Sequence, residues 1–329
     1  MIKSKHKQRK GGGAVFEFFA NGAIKICGNH TERQGGCVLC SATEQGIRAF
    51  AKPNGTDTVH IESEDFGCFD IEIGDTEPKA EEAETPAALV RGIMNCFIES
   101  GNIFGGFDAK ISSEIPSEAV LSSFPAFEIL IGKIISGLFF ENSVPPLRLA
   151  QFGQTAENDY YGNPCGITEQ LASAAGGTVF ADFSDPEMPQ YRKLDFDFEK
   201  SGYTAALVTG KEKPDFSKDY FETEKDLAFV AWNMGHTVLS EADEAEFIAQ
   251  YPILRQKCGE KAVQNALHFY EESRRSQEEA TALENGDFKE FLEIYNEAES
   301  PNLKIIPMET AADFAEETEK QGFGLIFVL

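Results

Sequence analysis

The feature that most constrains this chain is the order in which its hydrophobic patterns change. Between residues 14 and 75 it offers six short β-patterned runs, VFEFFA, AIKICG, GCVLCSA, IRAFA, TVHIES and CFDIEIG, bounded by Gly, Asn and Asp. After an acidic surface stretch from Asp75 to Glu84, Pro86 opens a predicted helix through Glu99, with Leu89, Val90, Ile93, Met94 and Phe97 at helical spacing. GGFDAKISSE reads as a strand. The run from Phe124 to Phe140 reads as a core helix, with Ser122 and Ser123 at its mouth and Pro125 in its first turn. Helices are predicted at Pro146–Asn158 and Cys165–Ala175, joined by Tyr161-Gly162-Asn163-Pro164. After Gly176-Gly177 strands return in TVFADF, Tyr191–Phe198 and YTAALVTG. Helical stretches follow at 219–235, 241–250, 259–285 and 287–298, and the end reads strand, helix, strand. With 329 residues, this order suits two domains, 14–175 and 176–329, behind a basic arm at 1–13.

Charge narrows the partners. The net charge is −26, although five of the first ten residues are Lys or Arg. A body this acidic repels DNA, RNA and anionic lipid, so neither nucleic acid nor membrane is expected as a partner. No apolar run reaches the roughly 18 residues of a membrane span, because Glu128 and Lys133 interrupt the longest. The basic start is not followed by a secretory-type apolar segment, and the seven cysteines are expected as reduced thiols in the cytoplasm. Cys37 and Cys40 form a CxxC near Cys27 and His30. Yet CVLC reads as a strand, where residues three apart point to opposite faces, so buried thiols are expected in place of a metal site. His268, Phe229 and Trp232 are expected as packing residues, with a helix cap as the other reading of His268.

Two segments carry chemistry. In the first, Ala20 to Gly36, a strand enters a tight turn where Asn29, His30, Thr31, Glu32 and Arg33 fall together. Their donors and acceptors suit a sugar, although composition alone favours a capped turn with His30 bonded to backbone. The segment resembles the signature of galactokinases, in the GHMP small-molecule kinase superfamily, which reads A-P-G-R, five residues, then E-H-T-D or N-H-T-D and a nearby glycine. Asn29, His30 and Thr31 match it, and Gly22, Gly28 and Gly36 fall in place. The second segment, from Ala156-Glu157-Asn158 through Gly162-Asn163-Pro164-Cys165-Gly166-Ile167-Thr168-Glu169-Gln170 to Ser173, resembles that family's A-E-N…G-x-P-C-G-[IL]-M-D-Q-x-A-S. The likeness continues through Phe180–Tyr220 and Ala262–Asp287.

This resemblance implies the two-domain α+β GHMP-kinase architecture, with a ligand cleft between the domains. It implies ATP-dependent phosphorylation of galactose, or a related hexose, at the anomeric hydroxyl, with ATP and magnesium as cofactors. It places Asn29, His30, Glu32, Gly166 and Tyr220 at the sugar and Glu169 at the reacting hydroxyl. Ser122 and Ser123 fall at the nucleotide, with Ser122 as the metal-binding hydroxyl.

The departures from the family pattern bear on activity. The family's arginine, six residues before the E or N of the first motif, is Ala23. The family's two aspartates are Glu32 and Glu169, each a methylene longer, and a misplacement of about 1 Å can cost roughly 100-fold. In the phosphate loop G-S-G-L-S-S-S-A-A becomes Glu118 to Ala126, with both glycines gone and a carboxylate at the first. The Gly-rich third motif is absent. Lys25 shares a strand face with Ala23, so it is read either as a replacement catalytic cation or as a solvated lysine. The resemblance thus predicts an impaired kinase or, alternatively, a non-catalytic relative that binds sugar or a protein partner. No protein partner is identified by sequence.

Overall fold

The structure, a computed structural model, describes residues 14–115, 123–185, 188–209, 216–298, 303–321 and 324–329. These residues form two compact units that interleave along the chain. One takes 14–23, 44–115 and 123–176, and the other takes 24–43 and the described residues from 177 onward. The division differs from a single cut at residue 175, because Ile24–Thr43 cluster with the second unit.

Strand β1 runs unbroken from Phe16 to Cys27 and β2 from Cys37 to Pro53, so four expected short strands are two long ones. Gly46 interrupts the β-patterned sequence without interrupting β2. A side chain there would meet the Ala20 carbonyl oxygen at 2.3 Å, so the glycine permits close approach of β1.

The first unit adds β3 (Thr58–Ser63), β4 (Gly67–Glu72), α1 (Pro86–Glu99), β5 (Phe107–Ser113), α2 (Ser123–Phe139), α3 (Pro146–Thr155) and α4 (Thr168–Ala175). Its strands lie in the order β4-β3-β5-β2, antiparallel except for β3 and β5. The helices pack among themselves around Phe97, whose ring lies 5.0 Å from Phe152 and 6.1 Å from Phe104. Two helix limits move from expectation. After Thr155 the chain widens into a π turn over Ala156–Tyr161. Cys165–Ile167 stay outside α4, with the Cys165 backbone N–H donating to Asn158 Oδ1 at 2.7 Å.

In the second unit the start of β2 pairs antiparallel with β6 (Thr178–Asp182), and β7 (Gln190–Lys193) lies beyond it. Next come α5 (Phe198–Ser201), β8 (Tyr203–Thr209), α6 (Phe216–Met234), α7 (Glu244–Cys258), α8 (Glu260–Glu284), α9 (Phe288–Glu297), β9 (Leu303–Pro307), α10 (Ala311–Lys320) and β10 (Gly324–Phe327). Strands β10, β8 and β9 form a small antiparallel sheet.

The strand expected over Tyr191–Phe198 stops at Lys193. Phe196 and Phe198 turn instead onto Phe288, with ring centroids 5.3 and 6.2 Å away. Helix α7, expected to end at residue 250, continues through Pro252 to Cys258. An interior proline costs about 3 kcal/mol, and burial of Leu254 in the α6–α7–α8 core offsets it. Phe229 and Trp232, expected in packing, are exposed at 46% and 72% and stack on each other at 6.3 Å.

No helix among the described residues is long and apolar enough to cross a membrane.

Candidate functional site

The turn from Gly28 to Gly36 is built by main-chain constraints that the sequence encodes locally. Gly28 has φ +92°, and a Cβ there would meet the Cys37 carbonyl oxygen at 2.4 Å, so only glycine passes beneath β2. The Thr31 hydroxyl lies within hydrogen-bond distance of the Gly28 and Cys37 carbonyls, at 2.9 and 2.8 Å. His30 is left-handed at φ +61°, an uncommon conformation for a residue with a side chain. The short 3-10 turn Glu32–Gln34 follows, closed by Gly35.

The turn is also held from a distant helix. Glu272 on α8 accepts hydrogen bonds from the backbone N–H groups of Gly28, at 2.8 Å, and Asn29, at 3.0 Å. Arg275 donates to the other oxygen of Glu272, and Ser273 Oγ accepts from the Cys37 backbone N–H at 2.9 Å. A buried carboxylate that accepts two backbone N–H groups and pairs with a guanidinium is fully used. Neither the Glu272 clamp nor its partner was expected from sequence. They belong to the Ala262–Asp287 helix that resembled the family, but no spacing rule ties residue 28 to residue 272.

The predicted residues of this unit then take definite places. Asn29 is exposed, His30 half-buried and Glu32 buried. Lys25 is half-buried and paired. Its ammonium lies 3.6 Å from the Glu32 carboxylate, and its side chain is 13% exposed. Helix α6, which carries Tyr220, packs against the Glu32–Gln34 turn, while the Tyr220 side chain lies outside the described residues. One turn along, Glu224 is a site residue the sequence did not single out. Burial pushes its carboxyl up to about 7, against the opposing charge of Arg33 and a hydrogen bond with Gln34, and Glu32 and Lys25 also act on it.

In the other unit, Gly166 is buried just before α4 and Glu169 sits half-buried in the first turn, where a helix N-terminus favours negative charge. Its neighbour Gln170 is 1% exposed and donates from Nε2 to Glu128 at 3.1 Å and Glu157 at 3.0 Å. Asn163 Nδ2 donates to the second Glu157 oxygen at 2.6 Å. Burial pushes both glutamates above the usual carboxyl range. The Glu157 charge raises Glu128 further, and the Glu169 charge adds to Glu157. Two buried carboxyls around one amide thus fix the turn before Glu169.

Ser123 opens α2 and is half-buried. Ser122, Glu118 and Val120 lie outside the described residues. Among the described residues no three His, Cys, Asp or Glu side chains gather as a metal site, and none of the seven cysteines is in a disulfide. Ala23 is 1% exposed in β1 and carries no charge.

Residues 88–177 match the GHMP kinases N terminal domain family. Galactokinase of Lactococcus lactis subsp. cremoris is 29% identical over 290 residues, which cover 85% of this chain and 70% of that protein. Galactokinase of Clostridium tetani is 25% identical over 293 residues, covering 88% and 73%. In structure, Lactococcus lactis galactokinase complexed with galactose superposes with TM-score 0.80 at 22% identity, covering 95% of this chain and 93% of that one. A D-glycero-D-manno-heptose 1-phosphate kinase from Bacteriodes thetaiotaomicron follows with TM-score 0.62 at 12% identity, covering 95% and 96%. In its α+β fold the chain is similar to these kinases, and in sequence, with its two signature segments, it is similar to galactokinases, its residues 88–177 matching the GHMP kinases N terminal domain.

Proposed function

We propose that the chain is a galactokinase-like protein that binds galactose or a related hexose, and that its phosphoryl transfer to the anomeric hydroxyl is impaired. The observation that carries this reading is the Gly28–Gly36 turn, kept in one conformation by the Glu272 clamp with Asn29 and His30 on it. Asn29, His30, Glu32, Gly166, Glu169 and Tyr220 hold the sugar in this reading, and Glu169 orients the reacting hydroxyl. Lys25 holds the Glu32 carboxylate in place. The relative of known structure that contains galactose supports the choice of sugar.

ATP and magnesium are the cofactors the family implies, with Ser122 and Ser123 as their contacts here. The residues present fit them poorly. The arginine position is a buried alanine, Lys25 is already committed to Glu32, and Glu118 replaces a glycine where phosphates would approach. We therefore assign no transfer step. The buried Ala23 also favours the second reading, a wholly non-catalytic hexose-binding relative. We place the protein in the cytoplasm, a reading that its seven cysteines, none of them in a disulfide, support.

Calorimetric titration with galactose, then with Mg·ATP, and a coupled ADP-release assay test these readings. Millimolar galactose binding, weak Mg·ATP binding and slow ADP release are expected. Low-micromolar Mg·ATP affinity with rapid turnover would refute the impairment. Absence of any thermal shift with millimolar galactose or its epimers would refute the sugar. Galactose binding with no ADP release at all would select the non-catalytic reading.

A further inference from the structure

The second unit contains an open recess of about 350 Å³ that the motifs did not announce. Its floor is one face of α8, where His268, Glu271, Glu272, Arg275 and Glu279 recur at helical spacing. Lys25 and Asn29 line it from the signature segment, and Tyr295 from α9. The volume falls in the range of small-molecule sites, roughly 300–1,000 Å³.

Two buried polar atoms in this wall lack a partner among the described residues: the Nε of Arg275 and the Oε2 of Glu279. Glu279 is 1% exposed. Leaving a buried polar group unsatisfied costs about 1–3 kcal/mol, so an apolar occupant is excluded. Each cation of the wall is answered by a carboxylate, and Glu271 adds a further acidic side chain. Arg275 is answered by Glu272 and Lys25 by Glu32. Burial pushes the Glu279 carboxyl up to about 8, and burial and Arg275 hold the His268 imidazole low, so both are uncharged near neutral pH. An anion meets the Glu271 carboxylate, and a cation offers no acceptor to Arg275 Nε–H. A hydroxyl group both accepts, as Arg275 Nε requires, and donates, as a carboxyl oxygen can receive. Several hydroxyls on one small ring could continue to Asn29 and His268.

We propose that this recess is a binding site for a small uncharged polyhydroxyl molecule, held by Arg275 and Glu279 and formed entirely within the second unit. It does not depend on Gly166, Glu169 or Tyr220. Because Arg275 also holds Glu272, which holds Gly28 and Asn29, an occupant would brace the signature turn from behind.

The test is calorimetry with myo-inositol and glycerol, each at about 10 mM, on the whole chain and its recess variants. At least one probe should bind. Its affinity should fall about tenfold or more in Glu279→Leu. Thermal melting checks that each variant folds. Should Glu279→Leu fail that check, Arg275→Lys decides in its place, because it keeps the charge opposite Glu272 and loses Nε–H. The proposal is overturned if no probe binds the wild type. It is also overturned if binding survives the recess variants.

Discussion

Glu279 gives the most quantitative handle on the structure. Its carboxyl is 1% exposed, and burial, aided by Glu278 and opposed by Arg275, lifts it from the ordinary 4.5 to about 8. A carboxyl raised on folding binds its proton more tightly in the native state. Between pH 4.5 and 8 the folded chain therefore carries more protons at this site than the unfolded chain. Stability from this group is full below the unfolded value and is lost as pH rises through that window. The loss is about 1.4 kcal/mol per pH unit, or about 3 kcal/mol by neutral pH. Glu279→Gln removes the titration and keeps the shape. Urea midpoints of both proteins from about pH 5.5 to 8 should diverge, with the variant gaining about 2 kcal/mol on the wild type between pH 5.5 and 7. Glu128, Glu157 and Glu224 are also raised, but they act in both proteins and cancel in the difference. Parallel curves would refute the reasoning, because they would mean that the carboxyl is solvated or paired in solution.

Two further substitutions probe the signature segment. Gly28→Ala forces a Cβ into left-handed backbone against the Cys37 carbonyl, costing about 1–3 kcal/mol for the backbone alone. Melting should drop and galactose titration should weaken with it; an unchanged titration would show that the turn does not serve the sugar. Ala23→Arg, the obvious repair of the missing cation, buries a guanidinium at a site only 1% exposed, at a cost of several kcal/mol. ADP release should not recover, and adding Glu118→Gly and Val120→Gly should help only in part. Strong turnover in the single variant would mean that nucleotide binding was intact throughout.

What the sequence could show depended on range. Helix α1 was legible to the residue, since Pro86 fixes its start and Leu89, Val90, Ile93, Met94 and Phe97 repeat on one face. The two signature segments were legible because their chemistry is compressed into a few neighbouring positions. Misreadings arose where distant residues decide. Gly46 looks like a strand end until the Ala20 carbonyl beside it is known. Pro252 looks like a stop until Leu254 is seen in the helix core. Phe229 and Trp232 have the spacing of packing residues and lie exposed, because periodicity identifies an apolar stripe but not whether anything covers it. The same limit hid Glu272, which acts on residues 244 and 243 positions earlier.

The interleaving of the two units has a consequence for how the chain is made. Residues 24–43 emerge from the ribosome early, yet the strand that pairs with Cys37–Ser41 is Thr178–Asp182. At synthesis rates of about 5–20 residues per second, the first strand waits on the order of ten seconds for its partner. The clamp on Gly28 waits longer still, until Glu272 is made. During that delay CVLCSA is an apolar strand with an unpaired edge, the kind of segment that pairs with the wrong neighbour. Early folding must therefore rest on what the first unit, 14–23 together with the chain from 44 to 176, can complete by itself, and the signature turn is among the last places in the molecule to take its shape.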